Sequence, residues 1–426
     1  MMKRSILDFG KPQFNYRQLP GSPSPPTSID RPGRATLLIE TALDAKNWRL
    51  EPGISVATGQ RLQLTSEPGA YAICSGTGVV SAVEPFPGSG GRHMAAVTID
   101  LSEPEIFDDA FVAACETASI QTAQDFLRPL PGNPSFNAFS DERQPVRQII
   151  VNGVDKDLMS LTVQYILQTR MNDIAAGIRQ LKALTGVDQI VLAAPRDSLQ
   201  GYGHIGARAV SVDTRYPSGL PRLIASQLLG RELPAAADPL DEGLFFIDAE
   251  SVAAIGRSFD RKRICIDKTL TVIDKAGRPT VAAARIGTPI ADVLSRLNTV
   301  VEPGDRLVLG GPMTGVSIYS ENHPIEPDTD AVLIQDRETA NRVSDYPCIN
   351  CGDCIRVCPA RIPVNLLIRF LEAGQYEAAR DQYDLDVCLE CGLCSYVCVS
   401  RIPILQYIKL AKHELGRIDT EEAVNE

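Results

Sequence analysis

Between residues 348 and 398 a single cysteine spacing occurs twice. Cys348, Cys351, Cys354 and Cys358 read C-x2-C-x2-C-x3-C, and Cys388, Cys391, Cys394 and Cys398 repeat it. Eight thiols crowded into so short a stretch point either to a disulfide framework or to metal. The start, Met1-Met2-Lys3-Arg4, has no apolar stretch behind it, so a secretory signal is not expected. Clustered cysteines without export indicate metal or redox chemistry rather than disulfides. Structural zinc takes four ligands as two pairs with a longer gap, which does not suit two identical groups of four. The other three of the 11 cysteines, Cys74, Cys115 and Cys265, are scattered and expected to be small buried residues.

The doubled spacing is that of bacterial ferredoxins, which hold [4Fe–4S] clusters. Three closely spaced thiolates wrap three irons of one cubane, and the fourth cysteine faces away toward the other. The expected ligand sets are therefore Cys348, Cys351, Cys354 and Cys398 for one cluster, and Cys388, Cys391, Cys394 and Cys358 for the second. The repeat runs past the cysteines. Cys358-Pro359-Ala360-Arg361-Ile362-Pro363 matches Cys398-Val399-Ser400-Arg401-Ile402-Pro403. Each copy leads into a helical apolar pattern, Leu366, Leu367 and Phe370 in the first and Leu405, Ile408 and Leu410 in the second. Pro363 and Pro403 suit a first helical turn, where the missing N–H costs nothing. The stretch from Cys358 to Cys388 is long enough for a helical hairpin. One departure, Val399 where the first copy has Pro359, should change only the cluster environment.

The rest of the chain is ordinary globular sequence: 44% hydrophobic, 22% charged, mean hydropathy −0.05. It has no eighteen-residue apolar run, so a spanning helix is not expected. A net charge of −11 with a pI near 5.1 implies no basic face, and nucleic acid is excluded as a first-choice partner. Five segments are expected. Residues 1–34, rich in Pro, Ser and Gly, form an extended arm. Residues 35–105 are short strands and turns; Glu51–Gln60 leading to Ser75–Val80 resembles the barrel-sandwich hybrid fold of biotinyl and lipoyl carriers. Those carriers modify a lysine between the two motifs, and none stands between Gln60 and Ser75, so a docking role is the better reading. Residues 106–260 alternate strand and helix, with strands at Val146–Asn152, Gln189–Ala194 and Leu244–Ile247. Helices are expected over Leu158–Leu184, Leu220–Leu229 and Ser251–Ile255, which together suggest a parallel or mixed sheet. Residues 261–340 resemble a β-grasp unit of the soluble-ligand-binding (SLBB) type, with strands at Ile264–Ile273, Thr280–Arg285 and Arg306–Leu309 and a helix at Pro289–Leu297. Residues 341–426 form the helical ferredoxin domain. The fold class is multidomain α+β.

Taken in this order, these pieces resemble the C subunit of Rnf-type electron-transport complexes, over roughly residues 35–415. The cysteine repeats, Gly310-Gly311-Pro312-Met313-Thr314-Gly315 and the domain order carry the resemblance. Weaker matches are Ile149–Gly153, Arg215-Tyr216-Pro217-Ser218-Gly219 and Leu229–Pro234. The resemblance implies a cytoplasmic protein, peripheral on the inner face of the cell membrane. It would carry FMN, an NADH site and two [4Fe–4S] clusters, and exchange electrons with a membrane-embedded ion pump.

The sequence departs from that family where nucleotide would bind. The family has a loop of the type G-L-G-G-A-G-F-P-T, whose glycines let backbone N–H groups approach phosphate. Here the stretch is Phe126-Leu127-Arg128-Pro129-Leu130-Pro131-Gly132-Asn133-Pro134-Ser135-Phe136, with one glycine and three prolines that donate no N–H. The family continues Asn-Gly with E-C-E-P; here Asn152-Gly153 is followed by Val154-Asp155-Lys156-Asp157. FMN and NADH chemistry are not expected in this chain. The lone glycine pairs Gly90-Gly91 and Gly201/Gly203 are read as turns, and Tyr202 and His204 as an exposed loop. His323 is expected to close a turn, and His93 and His413 have no assigned role. Gly310–Gly315 reads equally as a tight turn or a ligand contact. The expected function is an electron relay with no catalytic residue. Its partners would be other subunits of a membrane redox complex and a donor or acceptor such as a ferredoxin, a flavoprotein or a cytochrome. Two alternatives are an NAD(P)H-oxidising flavoprotein with a remodelled site and a structural adaptor whose clusters only hold the fold.

Overall fold

A computed structural model describes the chain except residues 1–11, 22, 42–47, 89–91, 142, 200–204, 235–236, 341, 345 and 426, and the side chains of 420–425. Gly90-Gly91, Gly201, Tyr202, Gly203 and His204 lie outside the described residues.

Strands Arg34–Glu40, His93–Leu101, Gly78–Pro87 and Ser55–Val56 form an antiparallel sheet in that order. The outer pair alternates cleanly. Ala35, Leu37 and Ile39 point inward, as do Ala95, Val97 and Ile99, with the less buried Thr36, Leu38, Ala96 and Thr98 between them. One buried and one wet face is what such alternation builds. The hairpin Arg61–Gln63 and Tyr71–Ile73 completes this unit.

The next sheet is wholly parallel, ordered Arg208–Val212, Ile190–Pro195, Gln148–Asn152, Leu244–Asp248. Its two central strands are continuous apolar runs, buried on both faces, as parallel strands between covering layers require. Strand Arg208–Val212 is not legible in the sequence because it alternates too weakly. The expected helix over 158–184 is two helices, Thr162–Thr169 and Met171–Thr185, with Arg170 non-helical between them. The first starts late because Asp155 accepts a hydrogen bond from Val163 N (2.8 Å) and Thr162 Oγ1 donates to Asp330 O (2.7 Å). Helix Ala249–Arg261 runs past the expected Ser251–Ile255 at both ends and packs on Met171–Thr185.

A third sheet has six strands in the order Thr27–Ser28, Pro279–Arg285, Asp267–Ile273, Ala331–Gln335, Arg306–Leu309, Val316–Ile318. Asp267–Ile273 and Ala331–Gln335 run parallel at its centre, each flanked by an antiparallel neighbour. Helix Ile290–Arg296 contributes Ile290, Val293 and Leu294 to the core beneath.

The proline-rich residues 12–34 cross between these units. Tyr16 is buried, Tyr16 N donates to Thr214 O and Arg17 N to Leu158 O. Gln164 grips the same segment, donating to Arg17 O (2.7 Å) and accepting from Leu19 N (3.0 Å). Thr27–Ser28 then adds an edge strand beside Ala282–Ala283.

A buried charge network joins the second and third units. Lys268, fully buried, sits between Glu250 and Asp330, 2.9 Å from Asp330 Oδ1. Lys156 Nζ reaches Asp330 Oδ2 (2.9 Å) and Asp248 Oδ2 (3.0 Å). Burial disfavours charge on all of them, yet the two lysines hold Asp330 well below the carboxylate range and are themselves raised.

The last unit is helical: Asp353–Val357, Val364–Glu372, Tyr376–Tyr383, Leu393–Val397 and Ile404–Asn425. The middle pair is the hairpin expected between the cysteine groups. Pro363 and Pro403 stand immediately before their helices rather than inside the first turn. Leu367, Leu405 and Ile408 are buried as expected; Leu366 and Leu410, expected in the core, fall on the outer face, and Val364, Ile368, Leu371, Ala411 and Leu415 complete the stripes.

Candidate metal centres

The sequence repeat is also a structural repeat. Gly352 and Gly392 take left-handed conformations, and each opens a five-residue helix. Cys354 and Cys394 are buried within these helices. Cys358 and Cys398 end them with near-identical backbone angles, φ −63° in both. The two short helices pack against each other.

Two small cavities of equal size, about 20 Å³ each, lie beside this pair. One is lined by Cys348, Cys351, Cys354 and Cys398, the other by Cys358, Cys388, Cys391 and Cys394. Each cavity thus draws three cysteines from one copy of the repeat and the fourth from the other. Among the described residues no group of three or more His, Cys, Asp or Glu side chains is placed to hold a single metal ion. The cysteines stand around a void, which is the arrangement a cubane needs.

Burial first, then the repulsion of neighbouring thiolates, raises these thiols. Cys354 and Cys388 are pushed up to about 11 and Cys391 to about 12. Cys394 stands well above its usual range for the same reasons. Such thiols stay protonated in water at neutral pH, whereas iron displaces their protons on binding. Cys388 Sγ also accepts a hydrogen bond from Glu390 N (3.4 Å), a contact that stabilises negative charge on sulfur.

The two cavities differ in their surroundings. Cys391, Leu393, Val397 and Val357 share a core with Ile150, Val154, Val191, Tyr16 and Tyr216 of the parallel-sheet unit. Tyr216, edge-on to Tyr16 with ring centroids 5.5 Å apart, donates its hydroxyl to Cys391 O at 2.6 Å. Burial raises Tyr216 far above the phenol range, so it stays a donor. Lys412 Nζ caps the same side, 3.0 Å from Cys388 O and 2.9 Å from Glu390. Around the other cavity Cys351 is exposed, and Ile349 and Val399 on its wall are 66% and 46% exposed. Sequence reasoning does not single out Lys412, and it gives Tyr216 no role. The Arg215–Gly219 match is the one available pointer to Tyr216.

Gly310–Gly315 is a bracket. Asp157 accepts hydrogen bonds from Met313 N, Thr314 N and Thr314 Oγ1. A side chain on Gly311 would collide with Asp157, and one on Gly392 would collide with Met313 O. Lys409 Nζ donates to Thr314 O (3.0 Å). The loop therefore joins the end of strand Gln148–Asn152 to the segment between Cys391 and Cys394. These contacts make it a tight turn, and Gly310, Gly311, Thr314 and Gly315 also line a cavity of about 430 Å³.

The segment Phe126–Phe136 packs inward. Leu127, Leu130 and Phe136 are fully buried in the core around the parallel sheet. Gly132 takes φ +89°, and its missing side chain leaves room for Ser251; its N–H donates to Pro327 O (2.7 Å). The cavity beside this segment, about 80 Å³, is lined by Arg92, Arg128, Pro129, Asn133, Glu326 and Asp328. The larger cavity of about 430 Å³ carries Asp157, Glu326, Asp328 and Asp330 on its wall with Arg92, Lys156 and His323. Lys156 is engaged by Asp248 and Asp330, and His323 by Glu326 (2.9 Å). That wall holds more carboxylates than cations.

His323 N donates to Ser320 O in a turn, as expected. His93 is exposed at a strand end and His413 half-buried on the last helix. Cys74 and Cys265 are buried, and Cys74 is pushed up to about 11 by that burial. Cys115 is only half-buried.

Residues 345–402 match the family described as "4Fe-4S dicluster domain". The C subunit of the ion-translocating oxidoreductase complex of Pseudomonas aeruginosa is 28% identical over 77% of this chain and 45% of its own length. The C subunit of the Na(+)-translocating ferredoxin:NAD(+) oxidoreductase complex of Acetobacterium woodii is 23% identical over 74% of this chain and 76% of its own. The chain spans about half the length of the first curated relatives it matches. Among solved structures, the NAD+-reducing [NiFe]-hydrogenase in its H2-reduced state gives a TM-score of 0.47 at 14% identity, over 71% of this chain and 62% of that one. No helix among the described residues is long and apolar enough to cross a membrane. By sequence the chain is similar to the C subunit of ion-translocating oxidoreductase complexes over most of its length, and residues 345–402 match a 4Fe-4S dicluster domain.

Proposed function

We propose that this chain is an electron-transfer subunit of a membrane-associated Rnf-like redox complex, relaying electrons through two [4Fe–4S] clusters without FMN or NADH chemistry of its own. The observation that carries the reading is the pair of adjacent cavities, each ringed by four cysteines drawn crosswise from the repeat. Cys348, Cys351, Cys354 and Cys398 would hold one cluster and Cys358, Cys388, Cys391 and Cys394 the other. Such clusters take up and release single electrons, at potentials from roughly −700 to +450 mV set by burial, charge and hydrogen bonds to sulfur. The chain supplies those controls: apolar walls, the Glu390 N–H on Cys388 and the Tyr216 hydroxyl on Cys391 O.

The five segments, 1–34, 35–105, 106–260, 261–340 and 341–426, are read as arm, barrel-sandwich hybrid, α/β body, β-grasp SLBB-like unit and ferredoxin domain. The body is a scaffold that positions the ferredoxin domain. Against a flavin site stand the inward packing of Leu127, Leu130 and Phe136 and the acidic wall beside Lys156. Partners are the other subunits of the complex and a ferredoxin, flavoprotein or cytochrome, met on the cytoplasmic face of the membrane.

Anaerobic purification with iron, sulfide and flavin analysis tests this. Two interacting S = 1/2 signals in EPR after dithionite reduction, reversible on reoxidation, with no extractable flavin and no bleaching by NADH, are expected. Flavin in the extract would establish the flavoprotein alternative. Clusters that cannot be cycled without unfolding would make them structural staples.

A further inference from the structure

Resting on the relay reading, we infer that Lys412 is a positioning residue that acts through Cys388 and Glu390 to raise the reduction potential of the Cys358/Cys388/Cys391/Cys394 centre. Helix Ile404–Asn425 carries Lys412 back over the second cysteine group. Its ammonium donates to Cys388 O (3.0 Å) and to Glu390 Oε1 (2.9 Å). It thus ties together both ends of the turn that opens that group. The side chain is 25% exposed, so water screens its charge only in part.

The turn calls for such a tie. Glu390 has φ +53°, a left-handed conformation that glutamate rarely adopts and asparagine tolerates. In the first copy the matching position is Asn350, at φ +58°, and Asn365 Nδ2 donates to Asn350 Oδ1 (2.6 Å). In the second copy Lys412 holds the glutamate carboxylate instead. With the turn fixed, Glu390 N donates to Cys388 Sγ (3.4 Å). Lys412 itself is not repeated as a cation. Counted from each first cysteine, its counterpart is the exposed Glu372.

Charge gives the sign. A cluster held by four thiolates is anionic, and the electron it gains makes it more so, with no bond made or broken. A cation against a ligand's backbone therefore favours the reduced state, and so does an N–H aimed at sulfur. The Glu390 carboxylate and the exposed Asp384 and Asp386 act the other way, and Lys412 is the cation that offsets them. Burial raises the Cys388 thiol; the Glu390 N–H and then the Lys412 charge lower it, and the lysine outweighs the Glu390 carboxylate. Arg361 and Arg401 occupy matching positions in the two copies, and Arg356 is paired with Asp353, so these arginines do not separate the centres.

The test is a redox titration of the cluster-loaded protein with dithionite, followed by EPR. The signal of this centre is the one that persists in Cys351→Ala. Lys412→Met should lower its potential enough to change its oxidised-to-reduced ratio at a fixed poise about tenfold, about 59 mV for one electron. The potential of the other signal should stay in place. Lys412→Arg should keep the unaltered value, and Glu390→Gln should move the same signal upward. A merely structural lysine would change cluster occupancy and move neither potential. Potentials unmoved in Lys412→Met, or both moved equally, overturn the assignment. If Lys412→Met does not hold its cluster, Glu390→Gln decides, and an unchanged or lowered potential there overturns the assignment as well. Failure of the relay reading itself looks different: the EPR signals are then absent or irreversible in the unaltered protein.

Discussion

Replacing Lys268 with methionine probes how the second and third units are held together. Its ammonium is completely enclosed, lies between the carboxylates of Glu250 and Asp330, and has no access to water. Methionine fills much of the same volume, so packing is nearly kept and charge is what changes. Removing one partner from a buried ion group costs about 3–5 kcal/mol because it strands the other charge. Asp330 keeps Lys156 at 2.9 Å, and Glu250 keeps only the Thr269 N–H at 3.2 Å. The stranded charge is therefore essentially one carboxylate, and the lower end, about 3 kcal/mol, is expected. Against a typical domain stability of about 5–15 kcal/mol that is a large fraction. The pH dependence has a definite sign. In the variant Glu250 takes a folded-state value further above its unfolded one. Its proton uptake favours the fold below the unfolded value, and that gain is lost as pH rises. The destabilisation should thus be small near pH 4 and grow toward neutrality. Urea unfolding of the cluster-loaded protein at several pH values, followed by circular dichroism, measures it. A loss below about 1 kcal/mol, or one that does not vary with pH, would refute the argument that Lys268 neutralises a closed carboxylate.

Other consequences follow from single contacts. If each cavity draws its fourth ligand from the other repeat, the residual EPR spectrum of Cys358→Ala should match that of Cys388→Ala and differ from that of Cys351→Ala; a match with Cys351→Ala instead would show that each repeat serves its own cluster. Tyr216→Phe removes the 2.6 Å bond to Cys391 O and should cost about 1–3 kcal/mol, with faster hydrogen exchange at 388–398; unchanged exchange there would mean that the hydroxyl does not anchor the ferredoxin domain. Asp155 is raised to about 7 by burial, against the hydrogen bonds from Gln164 and Val163. A raised folded value means stability present below about pH 4 and lost as pH climbs through about 7, so Asp155→Asn should flatten the unfolding free energy over that window, and an unflattened profile would count against it. Because Cys388 and Cys391 sit at about 11 and 12 before loading, cluster reconstitution should release protons and speed up between pH 7 and 9; a pH-independent rate would show that thiol deprotonation is not limiting.

Much of the helical domain is readable because its signals are local. Cysteine spacing is one such signal, and the proline after each repeat and the apolar stripe that follows are others. Local signals are also where the small errors arise. Leu366 and Leu410 fit a helical period but not the phase that their turns impose. Residues 158–184 read as one helix because the period continues across Arg170, and the late start at Thr162 comes from Asp155 and the distant Asp330, which claim the first turn. Lys156, an inserted cation in the sequence, gives no hint there that Asp248 and Asp330 converge on it.

The sequence by itself set the iron–sulfur proposal for the eight cysteines, because thiols that ligate a cluster must recur at short, fixed separations along a short chain segment. It also marked Phe126–Phe136 as ill-suited to phosphate, since proline lacks the N–H that such a loop needs. Only the tertiary structure decided which centre is closed in and which faces outward. The two copies share their cysteine spacing and nearly the same backbone, so the spacing does not distinguish them. What distinguishes them is what packs against each: Tyr16, Tyr216 and the Gly310–Gly315 loop come from far away in the chain to cover one, and nothing among the described residues covers Cys351 at the other. Burial and docking are sums over neighbours that only folding brings together.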